Sequence, residues 1–149
     1  MSSYKQIFYH IIISTKNRKQ TIPESHCQEL YKYIWGILKE RNCMLYQING
    51  MPEHIHLLCD LHPSIALANL LKDFKQGSSV WMKENKNFPN WEAWAKGYGA
   101  FTCSIKEKDN LIRYIKNQKE HHKKENFYDE YKRILIENEI HFEEKYMLG

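Results

Sequence analysis

Residues 43–61, CMLYQINGMPEHIHLLCDL, carry the reading from which the fold follows. Cys43 to Ile48 reads as one strand and His54 to Leu61 as another, with Asn49-Gly50 as a hairpin-turn signal between them. Side chains alternate faces along a strand, so His54 and His56 point one way while Ile55 and Leu57 point the other. Two imidazoles side by side on a sheet can share a metal ion. Two sheet histidines satisfied by backbone or water have the same spelling, so the pair alone leaves both readings open.

The flanking segments complete the pattern. Upstream, Gln6 to Thr15 is rich in β-branched and aromatic residues and reads as a strand, followed by a basic loop over Lys16 to Gln20. Leu30, Tyr33, Ile34, Ile37 and Leu38 recur at helical spacing up to about Arg41, where Asn42 suits a C-terminal cap. Downstream, Pro63-Ser64 opens a helix running from about Ile65 into the eighties, with Gly77-Ser78-Ser79 as a place for it to bend. Asn85 to Gly99 is loop-like and anchored by Trp91, Trp94 and Tyr98; Ala100 to Ile105 reads as a fourth strand. Lys108 to about Lys124 and Phe127 to about Ile140 read as helices, ahead of an acidic, aromatic tail. The order β-α-β-β-α-β predicts an α+β, ferredoxin-like (split βαβ) fold. It has a four-stranded antiparallel sheet with two helices on one face and further helices at the C-terminal end. The second face is then open to nucleic acid or to a second subunit.

The chain has 149 residues, which suits one domain spanning 1–149, and 42% hydrophobic residues suit an ordinary globular core. No apolar run approaches the roughly 20 residues of a membrane span, which predicts a cytoplasmic protein with no membrane partner. Cys27, Cys43, Cys59 and Cys103 are widely separated and read as free thiols rather than a zinc site. The net charge of +4 and the 10 tyrosines are compatible with a polyanionic partner without requiring one.

A second pair lies on the late helix. Tyr114 and Gln118 are four apart and sit one above the other, while Leu111 and Ile115 lie on a neighbouring face that can anchor the helix. A phenol with an unperturbed pKa of ~10 is a poor nucleophile. It becomes effective against a phosphate polarised by a divalent ion. Two imidazoles and one amide oxygen would leave open positions on such an ion for the phosphate and water. Glu120, His121 and His122 are alternative donors or simply solvated. Adjacent helical residues diverge by about 100°, so His121-His122 reads as surface or DNA-proximal rather than as a second metal pair.

The fragments MPEHIHLL, KDFKQGSS, WAKGYGAFTCS and YIKNQKEHH, in this order and spacing, resemble the TnpA-type transposases. These are the single-tyrosine HUH enzymes of minimal bacterial insertion sequences, related to the REP-associated tyrosine transposases. Glu53 stands where Asp is more usual in that pattern. The resemblance implies that Tyr114 is the catalytic tyrosine, attacking single-stranded DNA to form a 5′-phosphotyrosine link. It implies that His54, His56 and Gln118 hold Mg²⁺ or Mn²⁺. It further implies a homodimer whose sheets join edge to edge, composite sites in which one subunit's tyrosine serves the other's histidines, and hairpin DNA at the element ends as partner. Lys16, Arg18 and Lys19 in the first basic loop, with Lys72 and Lys75 on the second helix, are the candidates for phosphate contact. The competing reading is a non-catalytic nucleic-acid-binding module of similar fold, with Phe8 and Phe101 as stacking platforms on an open sheet face.

Overall fold

The computed structural model describes residues 2–147. The elements are β1 (Tyr9–Ser14), α1 (Cys27–Glu40), β2 (Leu45–Met51), β3 (His54–Cys59), α2 (Leu67–Lys83), β4 (Gly99–Phe101), α3 (Lys108–Lys116), α4 (Gln118–His121) and α5 (Phe127–Glu137). The strands form one antiparallel sheet in the order β2-β3-β1-β4. This is the split βαβ arrangement that the element order predicts.

Period-two alternation gives the sheet two apolar faces. Ile11 and Ile13 of β1 and Ile55 and Leu57 of β3 pack against Leu30, Ile34 and Leu38 of α1 and Leu70 and Phe74 of α2. Each such fully buried aliphatic side chain contributes roughly 1.5–3 kcal/mol. The opposite face is not open, contrary to the expectation. Ile12 and Phe101 lie under Phe127, Tyr131, Ile134 and Leu135 of α5, and Phe8 and Leu58 lie under Ile115 of α3. The C-terminal helices carry apolar faces of their own and bury them on the second side of the sheet.

Four local expectations change, the first being the fourth strand, which covers Gly99–Phe101 and leaves 102–105 outside the sheet. Asn49-Gly50 is not the turn: Gly50 pairs with Ile55 and Met51 with His54, so Pro52-Glu53 closes the hairpin. Gly50 is required for close approach instead, since a Cβ there would lie 2.2 Å from the His54 carbonyl oxygen. The turn is tied down by Thr15 N–H donating to the Glu53 carbonyl (2.9 Å) and Ile22 N–H to that of Pro52 (3.0 Å). Helix α2 runs unbroken through Gly77-Ser78-Ser79, and its two serines accept the indole N–H groups of Trp94 and Trp91, each at 3.0 Å. Both tryptophans are buried anchors of the connecting loop.

The late helix is divided at Asn117 into α3 and α4. Asn49 Nδ2 donates to the Lys116 carbonyl at 2.8 Å, which satisfies one of the acceptors freed at the end of α3. Arg41 caps α1, and Asn42 then takes the left-handed conformation at φ 58°. No helix among the described residues is long and apolar enough to cross a membrane.

Candidate functional site

His54 and His56 open β3 and face the C-terminal helices, with ring centroids 5.1 Å apart. Ile55 and Leu57 turn into the α1/α2 core, as alternation requires. Both imidazoles are fully buried. His54 Nδ1 lies 2.9 Å from Glu53 Oε1 and His56 Nδ1 lies 2.9 Å from His10 Nε2, so the Nε2 atoms of both rings are turned inward. His10 stacks on His56, and Phe127 stacks on His54 with centroids 3.8 Å apart. These contacts fix both ring planes.

Tyr114 and Gln118 reach the same point despite the break at Asn117. Gln118 is fully buried, with Oε1 3.2 Å from His54 Nε2 and 3.0 Å from His122 Nε2. The Tyr114 ring meets His56 edge-on at 6.0 Å. Its hydroxyl donates to Glu130 Oε2, receives a bond from Arg133 Nη2 at 2.9 Å and lies 3.5 Å from His121 Nε2. All of these groups belong to one chain.

Glu130 is the centre that sequence reading missed. It is wholly buried on α5. Its Oε1 lies 3.0 Å from His56 Nε2, 3.0 Å from His122 Nε2 and 3.4 Å from His54 Nε2. Its Oε2 receives the Tyr114 hydroxyl and the Gln118 amide N–H, the latter at 3.0 Å. The signal was present: Phe127, Glu130, Tyr131 and Ile134 share the helical phase that faces the sheet, so an acid occupies a core position. His122 also belongs here rather than on the surface. Tyr114, Gln118 and His122 form a single column at four-residue spacing, and that spacing is what marks His122. His121 diverges from His122 as expected, but it points at Glu125, 2.7 Å away.

The electrostatics follow from burial and this one carboxylate. Burial opposes ionisation of Glu130, but hydrogen bonds from His122, His54 and His56 outweigh it and hold the carboxyl well below the usual range. Burial pulls His56 down to about 4, with Glu130 opposing and His54 and His122 reinforcing. Burial also lowers His54, but its hydrogen bonds to Glu130 and Glu53 more than offset this and leave it raised. Tyr114 is pushed up by burial and by Glu130, against Arg133, so it keeps its proton and donates it to Glu130.

The donor chemistry suits a divalent cation. One ligand atom each from His54, His56, His122 and Glu130 lies within 4.8 Å of the others, and the Gln118 amide oxygen faces the same space. Mixed imidazole and oxygen donors of this kind match a borderline-to-hard divalent ion. None of the four cysteines joins the cluster, and all are free.

The basic residues are distributed differently. Lys16 and Lys19 reach Glu92 at 3.8 and 2.8 Å, and Arg18 is exposed in a tight left-handed segment with Asn17. Lys72 is exposed along a groove shared with Trp94, Lys96 and Tyr98. Lys75 also borders that groove, but its ammonium donates to the carbonyls of Ala95, Lys96 and Gly97 at 2.7, 3.2 and 3.3 Å.

A four-stranded antiparallel sheet with a strand-borne His-x-His pair facing a helix-borne tyrosine defines an HUH-like protein. The chain belongs to the IS200-like transposase family, whose model ("Transposase IS200 like") matches residues 3–118. It is similar to the transposase for insertion sequence element IS200 of Salmonella typhimurium, at 24% identity over 120 residues that span 77% of this chain and 78% of that one. It is also similar to the ISDra2 transposase TnpA of Deinococcus radiodurans, at 24% identity over 118 residues that span 76% and 84%. Among solved structures, a protein from Deinococcus radiodurans described as a transposase shares the fold with a TM-score of 0.58. The identity is 24%, over 79% of this chain and 95% of that one. A REP-associated tyrosine transposase bound to a REP hairpin aligns with a TM-score of 0.59 at 17% identity, over 78% and 72%.

Proposed function

We propose that this transposase cleaves and rejoins single-stranded DNA at the ends of an insertion element through a covalent link to Tyr114. The observation that carries the reading is the convergence of the Tyr114 hydroxyl and the Nε2 atoms of His54 and His56 on the single carboxylate of Glu130. In the cleavage step the phenolic oxygen bonds to phosphorus and the P–O3′ bond breaks. The phenol's proton is exchanged, in net, for that of the new 3′-hydroxyl. The bond energy is retained in a 5′-phosphotyrosine, so rejoining needs no external energy source.

His54, His56 and Gln118, joined by His122 and Glu130, would hold Mg²⁺ or Mn²⁺. That ion supplies Lewis-acid polarisation of a phosphate oxygen. Glu53 and His10 orient the two strand imidazoles, and Phe127 covers His54 from water. Hairpin DNA is the proposed partner, by likeness to the relative bound to a REP hairpin. Lys16, Arg18, Lys19 and Lys72 are proposed to neutralise its phosphates. For the expected edge-to-edge homodimer, β2 is the longer of the two edge strands.

The test is a covalent-adduct gel with Mg²⁺ and a single-stranded oligonucleotide copied from the DNA beside the gene. Loss of the adduct in Tyr114→Phe, but not in other tyrosine variants, is expected. An equally strong adduct in Tyr114→Phe would remove Tyr114 as the nucleophile. Chelator-insensitive binding with no cleavage would instead favour the non-catalytic module. Phe8 and Phe101, its proposed platforms, are buried under α3 and α5.

A further inference from the structure

Helix α5 lies beyond residues 3–118, the span of the family match, yet it meets the Tyr114 phenol with two side chains. Glu130 is one. The other is Arg133, whose Nη2 donates to the phenolic oxygen at 2.9 Å while its guanidinium lies 5.7 Å from the ring centroid. The remaining donors of Arg133 are already committed. Nε and Nη2 hold Glu125 at 3.2 and 3.0 Å, and Nη1 holds Glu137 at 3.2 Å. Glu125 is steadied in turn by His121 at 2.7 Å. A planar fork held on two edges loses little freedom in serving a further acceptor. Tyr114 and Glu137 line one groove with His10, Phe101 and Glu107.

We propose that Arg133 is a catalytic residue, binding the Tyr114 oxygen during attack and stabilising the charge on that oxygen when the tyrosine–phosphorus link breaks again. This rests on the reading of Tyr114 as nucleophile. In rejoining, the 3′-oxygen bonds to phosphorus and the P–O(Tyr114) bond breaks. The electron pair remains on the phenolic oxygen, and the 3′-hydroxyl's proton passes to it in net. A phenoxide released in a largely buried site is costly without a donor already aimed at it. Arg133 is such a donor, set in place before reaction. Glu137 lies on α5 itself and Glu125 just before it, so the Tyr114 oxygen is the acceptor on α3 to which Arg133 is directed, and rescue by guanidinium ion separates charge stabilisation from docking of α5.

The experiment uses the full chain, Mg²⁺ and a 3′-fluorescent single-stranded oligonucleotide copied from the gene's flanking DNA. Adduct formation is timed directly, and resolution is timed after adding the free 3′-hydroxyl fragment. Arg133→Ala is expected to slow both by ~10²-fold, the usual scale for one lost charge-stabilising donor. Arg133→Lys is expected to retain part of the rate, and guanidinium ion to restore part of it to Arg133→Ala. Lys132→Ala, which breaks the ion pair from α5 to Glu144, is expected to keep the wild-type rates. An independent readout is the ¹³Cζ resonance of Tyr114, identified by its absence in Tyr114→Phe; it is expected to shift in Arg133→Ala and stay in Lys132→Ala. Wild-type rates in a folded Arg133→Ala chain would overturn the assignment, as would equal slowing by Lys132→Ala. A wild-type chain that forms no adduct would overturn the reading of Tyr114, and this assignment with it.

Discussion

Gln118 Oε1 lies 3.2 Å from His54 Nε2, joining residues 64 positions apart on a helix and a strand. The same oxygen lies 3.0 Å from His122 Nε2. A neutral amide oxygen is a modest ligand, so its worth lies in being held at the right place. Gln118→Ala is expected to lower Mn²⁺ affinity, measured by calorimetry, by about 10-fold or more. His54→Ala and His56→Ala are expected to lower it further. Undiminished affinity in Gln118→Ala would remove it from the ligand set.

Glu130 serves five side chains at once: His54, His56, His122, Tyr114 and Gln118. Removing one partner of a buried charge network strands the others, at about 3–5 kcal/mol. Glu130→Ala should therefore lose stability of that order in urea denaturation. Glu130→Gln, which keeps one acceptor oxygen, should lose less. A loss below about 1 kcal/mol in Glu130→Ala would mean that solvent or rearrangement replaces the network.

Gly50 faces backbone. An added Cβ would lie 2.2 Å from the His54 carbonyl oxygen and 2.8 Å from Ile55 Cα. Backbone atoms cannot swing aside as a side chain does, so β2 and β3 must separate where the histidine pair begins. Gly50→Ala is expected to destabilise by at least the ~1–3 kcal/mol of ordinary overpacking. It should also weaken Mn²⁺ binding, because His54 pairs with the neighbouring Met51. A Gly50→Ala chain with unaltered thermal stability would contradict this account.

The phenol and the histidine pair meet within one chain, through Tyr114, Glu130 and His56. Mixing Tyr114→Phe with His56→Ala distinguishes this arrangement from composite sites. Recovery of adduct formation needs an intact tyrosine and an intact histidine pair at one site, which only exchange between subunits supplies. The mixture is expected to stay inactive. Recovered adduct would place the working tyrosine in the partner's site.

Lys72 and Lys75 are one helical turn apart but differently occupied. The Lys75 ammonium holds three loop carbonyls, and burial lowers its pKa. Lys75→Met is expected to lower the melting temperature by freeing the 95–97 loop. Lys72→Ala should leave stability within about 0.5 kcal/mol. It should also flatten the dependence of log affinity on log salt for a single-stranded oligonucleotide by about 0.7, the value of one lost phosphate contact. An unchanged slope would make Lys72 a solvated residue only.

Much of this site is written in short-range periodicity. The two-residue repeat of β3 puts His54 and His56 on one face, and the four-residue repeat puts Tyr114, Gln118 and His122 in one column. Asn49-Gly50 misleads because its composition suits a turn equally well. What excludes it is the pairing of Gly50 with Ile55, a relation between two strands.

The sequence by itself determined the order of elements, the ferredoxin-like sheet, and the pairs His54/His56 and Tyr114/Gln118. Each depends on backbone geometry that repeats within a few residues. Only the tertiary structure decided that the second sheet face is covered, and that Glu130, 74 positions from His56, is the carboxylate on which the cluster closes. That meeting depends on Phe127, Tyr131 and Ile134 finding Ile12 and Phe101 across the sheet. Such packing is driven by non-directional apolar burial, which leaves no spacing in the chain to announce it.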